Sequence, residues 1–162
     1  MSKPAKTREE LEADGIFLDG KIVPKWFIEQ SDAASIKTYL LRFILRAKKA
    51  REPAYIHDFD YYLTALEHEE KSPEWIGARM EADARLKDNR AAVAHKHKIM
   101  GKIQSELWFR GVRMGGRDSV KDPSELVVPP TLQDIDEIEN FLTCPITKQA
   151  QKQLELWRIL RA

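Results

Sequence analysis

The chain is poor in cysteine and has no long apolar run. Its 162 residues include one cysteine, Cys144, so an internal disulfide is excluded and a reducing compartment is favoured. Because Cys144 precedes Pro145 and has no His–Asp signature beside it, we interpret it as a buried structural thiol rather than a nucleophile. No apolar stretch approaches the roughly 20 residues of a membrane span, and the N-terminus lacks the apolar core of a signal peptide. These absences predict a cytoplasmic protein with no membrane partner.

The sequence also lacks the short motifs that identify common enzyme classes. It contains no GxxxxGK[ST] phosphate loop, no GxGxxG turn and no GxSxG elbow. A run of possible metal ligands is formed by His57, Asp58, Asp60 and His68. On a straight helix, however, His57 and His68 are about 16 Å apart along the axis, whereas two ligands of one zinc both lie about 2.0–2.1 Å from it. His95 and His97 point in nearly opposite directions on a helix. We therefore predict no catalytic residue, no metal site and no cofactor.

Charge is arranged in blocks of alternating sign, although the formal net charge is only +1. Residues 31–53 carry six lysines and arginines against two acids, whereas residues 54–74 carry one against six. Residues 96–117 again carry six against one, and residues 118–146 carry one against seven. Two interpretations stay open: the blocks pair with one another, within the fold or between copies, or a basic block faces a polyanion.

The longest predicted element is a charged helix at about 73–110. Ser72 is a favourable N-cap, and a glycine follows the predicted end. Unbroken, this helix would be roughly 57 Å long at about 1.5 Å per residue. An apolar residue recurs every seven positions, at Leu86, Val93, Met100 and Leu107. The companion position three residues on is occupied by Asn89, Lys96 and then Ile103, so only the C-terminal part forms an apolar seam. We expect the other elements to pack around this helix.

The first thirty residues predict a small β-hairpin. Asp19-Gly20, between two short apolar runs, is the strongest hairpin signal in the chain. A two-stranded hairpin is marginal alone and must lean on helices. Trp26 and Phe27 offer an aromatic plug for the core.

Two helices are predicted next, at about 32–51 and about 54–70, with Pro53 between them. The inner face of the second contains Ile56, Phe59, Leu63 and Leu66. Its end, residues 67–70, places acids against the negative pole of the helix dipole, which is locally unfavourable. We expect the basic edge of the preceding helix to relieve this charge, through Arg42, Arg46 and Lys49.

The C-terminal region predicts a proline-containing spacer followed by two short helices. Thr131 caps the first helix, and Pro145 ends it. Its inner face contains Leu132, Ile135, Ile138 and Leu142. Thr147 caps the second helix, whose apolar stripe is Ala150, Leu154, Trp157 and Leu160.

Together these patterns predict an all-α protein: a helical body with one long charged helix, a minor N-terminal β-hairpin and a C-terminal helical hairpin. The expected division is an N-terminal extension with the hairpin (1–30), the body with the long helix and a basic Gly/Arg loop (31–117), a linker (118–130) and the C-terminal pair (131–162).

Basic residues and glycines suggest how the chain could bind nucleic acid. Glycines let backbone amides approach a phosphate, and arginines donate to it in pairs. The candidate nucleic-acid-binding residues are Arg42, Arg46, Lys49, Lys96, Lys98, Lys102, Arg110, Arg113 and Arg117. In layout alone, the chain resembles small subunits that assemble into rings or filaments on nucleic acid, including small viral packaging subunits. The leading hypothesis is a non-enzymatic subunit that self-associates and binds duplex or single strands through backbone phosphates.

Apolar residues on the long helix and the C-terminal pair predict a homo-oligomer or partner interface. The candidates are Val93, Met100, Ile103, Leu107, Leu154, Trp157 and Leu160. The alternative hypothesis is a protein-binding regulator, inhibitor or adaptor without affinity for nucleic acid, because charge blocks and exposed aromatics also serve protein interfaces. A metal-dependent enzyme is the third alternative.

Overall fold

The computed structural model describes residues 16–18, 21–31, 51–93, 102–103, 105–107, 109–110 and 122–162. These residues are mostly helical, which confirms the predicted all-α class with its minor hairpin. Within these ranges, no helix has the length and apolar content needed to cross a membrane.

The N-terminal hairpin has the predicted form. Strand β1 (Ile16–Leu18) pairs antiparallel with strand β2 (Lys21–Val23). Leu18 pairs with Lys21, so the two strands lie on either side of the predicted turn, and Asp19 and Gly20 themselves lie outside the described residues.

A short helix, α1 (Lys25–Gln30), follows the hairpin and carries the aromatic plug into the core. Trp26 and Phe27 are both buried. The Phe27 ring lies 5.0 Å from that of Phe59 and 5.3 Å from that of Tyr62, with edge-to-face geometry in both pairs. These ring contacts fix the hairpin and α1 against the next helix.

Helix α2 (Arg51–Glu67) is the centre of the fold. It packs against both strands, the next helix and the last helix of the chain. Its buried apolar residues are Ala54, Tyr55, Ile56, Phe59, Tyr61, Tyr62, Ala65 and Leu66. Pro53 was expected to separate two helices, but it lies within α2, as the third described residue of that helix. The expectation that the other elements pack around the 73–110 helix is therefore wrong, because α2 has that position.

Helix α3 (Pro73–Val93) begins where predicted. The Ser72 hydroxyl accepts a hydrogen bond from the Trp75 backbone N–H at 3.1 Å, which caps the first turn. Later in the chain, the described residues 102–103, 105–107 and 109–110 are also helical; we call them the return segment.

The return segment lies beside the end of α3 rather than continuing it. Lys87 Nζ is 2.6 Å from Glu106 Oε2, although a straight helix would separate these residues by about 28 Å along its axis. The prediction of one unbroken helix at 73–110 is therefore wrong.

The C-terminal half begins with a 3₁₀ turn (Pro123–Glu125) and ends with helices α4 (Leu132–Phe141) and α5 (Lys148–Arg161). Thr131 caps α4 with the full reciprocal capping box, and Thr147 caps α5. Both predicted caps are confirmed.

The α4–α5 pair docks on α2 of the same chain. The Trp157 ring stacks on Tyr62 with centroids 6.4 Å apart, and the Thr147 backbone N–H donates to Leu66 O at 3.1 Å. The Tyr62 hydroxyl donates to Val127 O at 3.0 Å, which ties the predicted spacer to the same surface. The spacer also contributes buried side chains, from Pro123, Leu126 and Pro129.

Candidate functional site

A cleft of about 660 Å³ separates the end of α3 from the return segment. It is lined by Lys87, Asp88, Ala91, Lys102, Ile103, Ser105, Glu106, Leu107 and Arg110. We call it the α3 cleft. Its volume lies within the range typical of ligand and peptide pockets.

Glu106 makes two ion pairs at the α3 cleft, one with Lys87 of α3 and one with Arg110 of the return segment itself. Glu106 accepts from Lys87 at 2.6 Å and from Arg110 Nε at 3.2 Å. Hydrogen bonds from these two cations lower the pKa of Glu106, which keeps the carboxylate charged. The Lys87 ammonium also lies over the Phe109 ring, 5.2 Å from its centroid. Lys87 therefore anchors the return segment to α3.

Apolar side chains form the other part of the α3 cleft. Ile103 and Leu107 are one helical turn apart, and each is about half exposed, at 50% and 48%. Ala91 of α3 is exposed beside them. The cleft is thus an apolar surface with charged groups at its rim, and this combination is typical of a site that binds an amphipathic partner.

The candidate nucleic-acid-binding residues are only partly described. Lys102 and Arg110 are exposed and line the α3 cleft. The positions outside the described residues are Arg42, Arg46, Lys49, Lys96, Lys98, Arg113 and Arg117. The basic edge formed by Arg42, Arg46 and Lys49 was expected to relieve the acidic end of α2. This expectation also lies outside the described residues. Lys87 was not among the candidate nucleic-acid-binding residues, because it lines the cleft only through the position of the return segment beside α3.

The candidate interface residues divide into three groups. Ile103 and Leu107 line the α3 cleft, as described above. Leu154 and Trp157 are buried in the core of this chain, so they are not surface residues. Leu160, by contrast, is 61% exposed, and it forms an apolar patch at the end of α5 together with Leu156 and Ile159. We call this patch the α5 patch. Val93 ends α3, and Met100 lies outside the described residues.

A polar network is buried between α2 and α3. Asp83 is fully buried; its Oδ1 accepts from the Tyr61 hydroxyl and lies 3.0 Å from His57 Nε2. Burial opposes the charge of His57, but hydrogen bonds to Asp58 and Asp83 outweigh it and raise the pKa of His57 above 6.5. Burial also opposes the charge of Asp83, and the bonds from His57 and Tyr61 outweigh it and lower its pKa.

Two arginines extend this polar contact along the helices. Arg85 donates to Asp60 Oδ2, and the Arg79 guanidinium lies 5.6 Å from the centre of the Trp75 ring. The suggested row of ligands is therefore divided: His57 lies between Asp58 and Asp83, one at each ring nitrogen, whereas Asp60 bonds to Arg85. Because these side chains of α2 and α3 bond to one another, we interpret the network as a structural contact that holds the two helices together.

A different set of side chains could hold a metal ion. Glu67, His68 and Cys144 place one donor atom each so that all three atoms lie within 4.8 Å of one another. Cys144 is exposed, so the prediction of a buried structural thiol is wrong. Sequence reasoning considered His68 only with histidines and aspartates close to it in the chain, and Cys144 lies far from them in sequence.

In comparisons with protein-family models, with curated proteins and with solved structures, the chain matches none of them.

Proposed function

We propose that this chain is a non-enzymatic helical subunit that assembles head to tail through the α3 cleft and the α5 patch. The observation that carries the proposal is the presence of two exposed apolar surfaces of different shape on one chain. The α3 cleft is concave, and the α5 patch is the end of a helix with apolar residues at i, i+3 and i+4.

The two surfaces belong to elements with different packing partners. Helix α5 packs on α2 and α4, whereas the return segment contacts α3 through Lys87 and Glu106. A contact between two unlike surfaces of the same chain is heterologous, so it produces rings when the rotation closes and filaments when it does not. A second copy is therefore the partner that we assign to the α3 cleft.

Sedimentation velocity across the micromolar range tests this assembly. The cleft variant, Ile103→Ser with Leu107→Ser, should dissociate the assembly, and so should the patch variant, Ile159→Ser with Leu160→Ser. Replacing two half-exposed side chains removes about 2 kcal/mol of apolar burial, which corresponds to about 30-fold in Kd. A matched control for the cleft variant, Ile22→Ser with Leu132→Ser, replaces side chains of similar exposure outside both surfaces and should assemble like the wild type.

Mixing the two variants separates this contact from a symmetric one. Each variant retains one intact surface, so an equimolar mixture should form a dimer and stop there. A wild-type chain that stays monomeric at all concentrations, or a cleft variant that assembles normally, would refute the proposal.

Nucleic-acid binding is a second candidate function, and one observation favours it. Lys102 and Arg110 are both exposed at the rim of the α3 cleft. Contacts to duplex phosphates make log K fall with log salt at a slope of about −0.9 per phosphate. Replacing Lys102 and Arg110 with alanine should therefore flatten the slope by up to about 1.8.

Affinity for a random duplex over a salt series measures this slope. The control is Lys148→Ala with Lys152→Ala, which removes two exposed lysines from α5. Equal slopes for the two double variants, or no binding at low salt, would exclude a phosphate contact at the cleft. A reducing, cytoplasmic location is proposed for either function, since Cys144 is a free thiol.

A further inference from the structure

We propose that Glu67, His68 and Cys144 form a zinc site that fastens the α4–α5 pair to the end of α2. Glu67 is the last residue of α2, His68 follows it, and Cys144 lies between α4 and α5. We call these three residues the Glu–His–Cys cluster.

The donor atoms are close to the separations that zinc requires. Bonds of about 2.0–2.3 Å in tetrahedral geometry place two ligand atoms about 3.3–3.7 Å apart. His68 Nε2 lies 3.9 Å from Glu67 Oε2, and the three donor atoms lie within 4.8 Å of one another. The cluster therefore needs to contract by little more than about 1 Å to surround an ion.

The carboxylate is already oriented for this role. Glu67 Oε1 accepts hydrogen bonds from the Thr143 backbone N–H, from the Thr143 hydroxyl at 3.1 Å and from the Cys144 backbone N–H at 3.2 Å. These donors occupy one oxygen and leave Oε2, the oxygen nearer to His68, to face an ion. Hydrogen bonds of this kind to a ligand are the usual support of a protein metal site.

Local charge also favours a cation at this position. The C-terminal end of α2 carries the negative pole of the helix dipole, and Glu67, Glu69 and Glu70 concentrate acids there. The Lys71–Glu70 ion pair, at 3.2 Å, is largely exposed on both sides, so water screens its contribution. A divalent ion in the cluster would neutralise this excess directly.

The donor set selects zinc among the common divalent ions. One thiolate, one imidazole and one carboxylate are all zinc ligands, whereas magnesium and calcium prefer oxygen alone. Three protein ligands leave a fourth position for water. The side chains of Glu67 and His68 are mostly buried and Cys144 is exposed, so the ion can enter from the thiol side. When zinc binds, the Cys144 S–H bond breaks, a Zn–S bond forms and the proton passes to solvent.

Cobalt and zinc titrations of the full chain test the site. Co²⁺ bound to the wild type should show a thiolate charge-transfer band in the near ultraviolet and strong visible absorption, as tetrahedral Co²⁺ sites do. Zn²⁺ added to the metal-free chain should release a proton and raise the Tm, because it joins two parts of the fold; added to the cobalt form, it should displace Co²⁺ and remove the band with no further proton release. Cys144→Ser and His68→Ala should each lose the band and the Zn²⁺-dependent rise in Tm.

Two further variants distinguish coordination from general charge. Thr143→Val removes one hydrogen bond to Glu67 Oε1 and should weaken zinc binding by about tenfold. Glu69→Gln with Glu70→Gln removes two exposed acids and should retain the cobalt band. Absence of the band in the wild type, or equal zinc affinity for the wild type and Cys144→Ser, would overturn the proposal. Rapid alkylation of Cys144 that saturating Zn²⁺ does not slow would overturn it as well.

Discussion

His57 and Asp83 form a hydrogen-bonded pair inside the contact between α2 and α3. Their side chains meet at 3.0 Å, and the Tyr61 hydroxyl donates to the same carboxylate oxygen. A buried charge is tolerated only when it is paired and hydrogen-bonded. Because each partner favours the charged form of the other, the pair should make stability depend on pH on both sides of a plateau.

The alkaline side of the plateau is set by His57. Its pKa is raised above 6.5 in the folded chain, so the folded state holds the proton more tightly than the unfolded state. The stability from this proton is fully present below about pH 6.5 and is lost as the pH rises through the folded pKa. Between about pH 6.5 and the folded pKa of His57, we expect the free energy of unfolding to fall by up to about 1.4 kcal/mol per pH unit.

Urea unfolding at a series of pH values measures this dependence. His57→Gln keeps a polar group at this position but cannot titrate, so its profile above pH 6.5 should be flatter than that of the wild type. On the acid side, Asp83 has a lowered pKa, and its contribution is present above about pH 3.8 and lost as the pH falls through the folded value. Asp83→Asn should reduce both slopes. Wild-type and His57→Gln profiles that run parallel from pH 6 to 9 would contradict this assignment.

At the scale of single elements, the helix caps follow from sequence because they are local. Thr131 and Asp134 are three residues apart, and their reciprocal hydrogen bonds need no contact with the rest of the chain. The same is true of Ser72, whose hydroxyl accepts from Trp75, and of Thr147 at the start of α5. Short-range pairs of this kind are therefore the part of the fold that sequence predicts best.

The central position of α2 could not be predicted in this way. Its polar residues His57, Asp60 and Thr64 have the appearance of a solvated face, yet all three are buried. They are buried because Asp83 and Arg85 of α3 satisfy the first two, and the Thr64 hydroxyl donates to Asp60 O within α2. Partners from another helix are invisible to periodicity, which counts only the apolar side chains of one element.

The return segment shows the same limit for the candidate site. The heptad pattern singled out Ile103 and Leu107, and both side chains are about half exposed. Their neighbours in the α3 cleft, such as Lys87, depend on where the chain returns, and spacing along a helix does not contain that information. The Glu–His–Cys cluster is the extreme case, because two of its members are adjacent and the third is brought there by the docking of α4 and α5.

At the scale of the whole molecule, β2 and the five helices α1 to α5 share one core. Buried residues of β2, α1, α2, α3, α4 and α5 belong to the same apolar cluster, and Leu126 of the predicted spacer joins it. Helix α1 and the C-terminal pair contact the same aromatic side chain, since Tyr62 meets both Trp26 and Trp157. The C-terminal pair is therefore packed as part of the body rather than tethered to it.

A shared core predicts that loss of one contact lowers the stability of the whole chain. Trp157 is 1% exposed and stacks on Tyr62, so Trp157→Ala should destabilise the fold by about 3–5 kcal/mol through lost burial and the cavity that remains. Lys152→Ala, an exposed position on the same helix, should change the free energy of unfolding by less than about 0.5 kcal/mol.

Thermal unfolding should be followed by far-ultraviolet circular dichroism for helix content and by near-ultraviolet circular dichroism for aromatic packing. If the core is shared, both signals shift together to lower temperature in Trp157→Ala and retain a common midpoint. Early loss of part of the helix signal, with the aromatic signal of the body melting at the wild-type temperature, would instead show that the C-terminal pair unfolds independently.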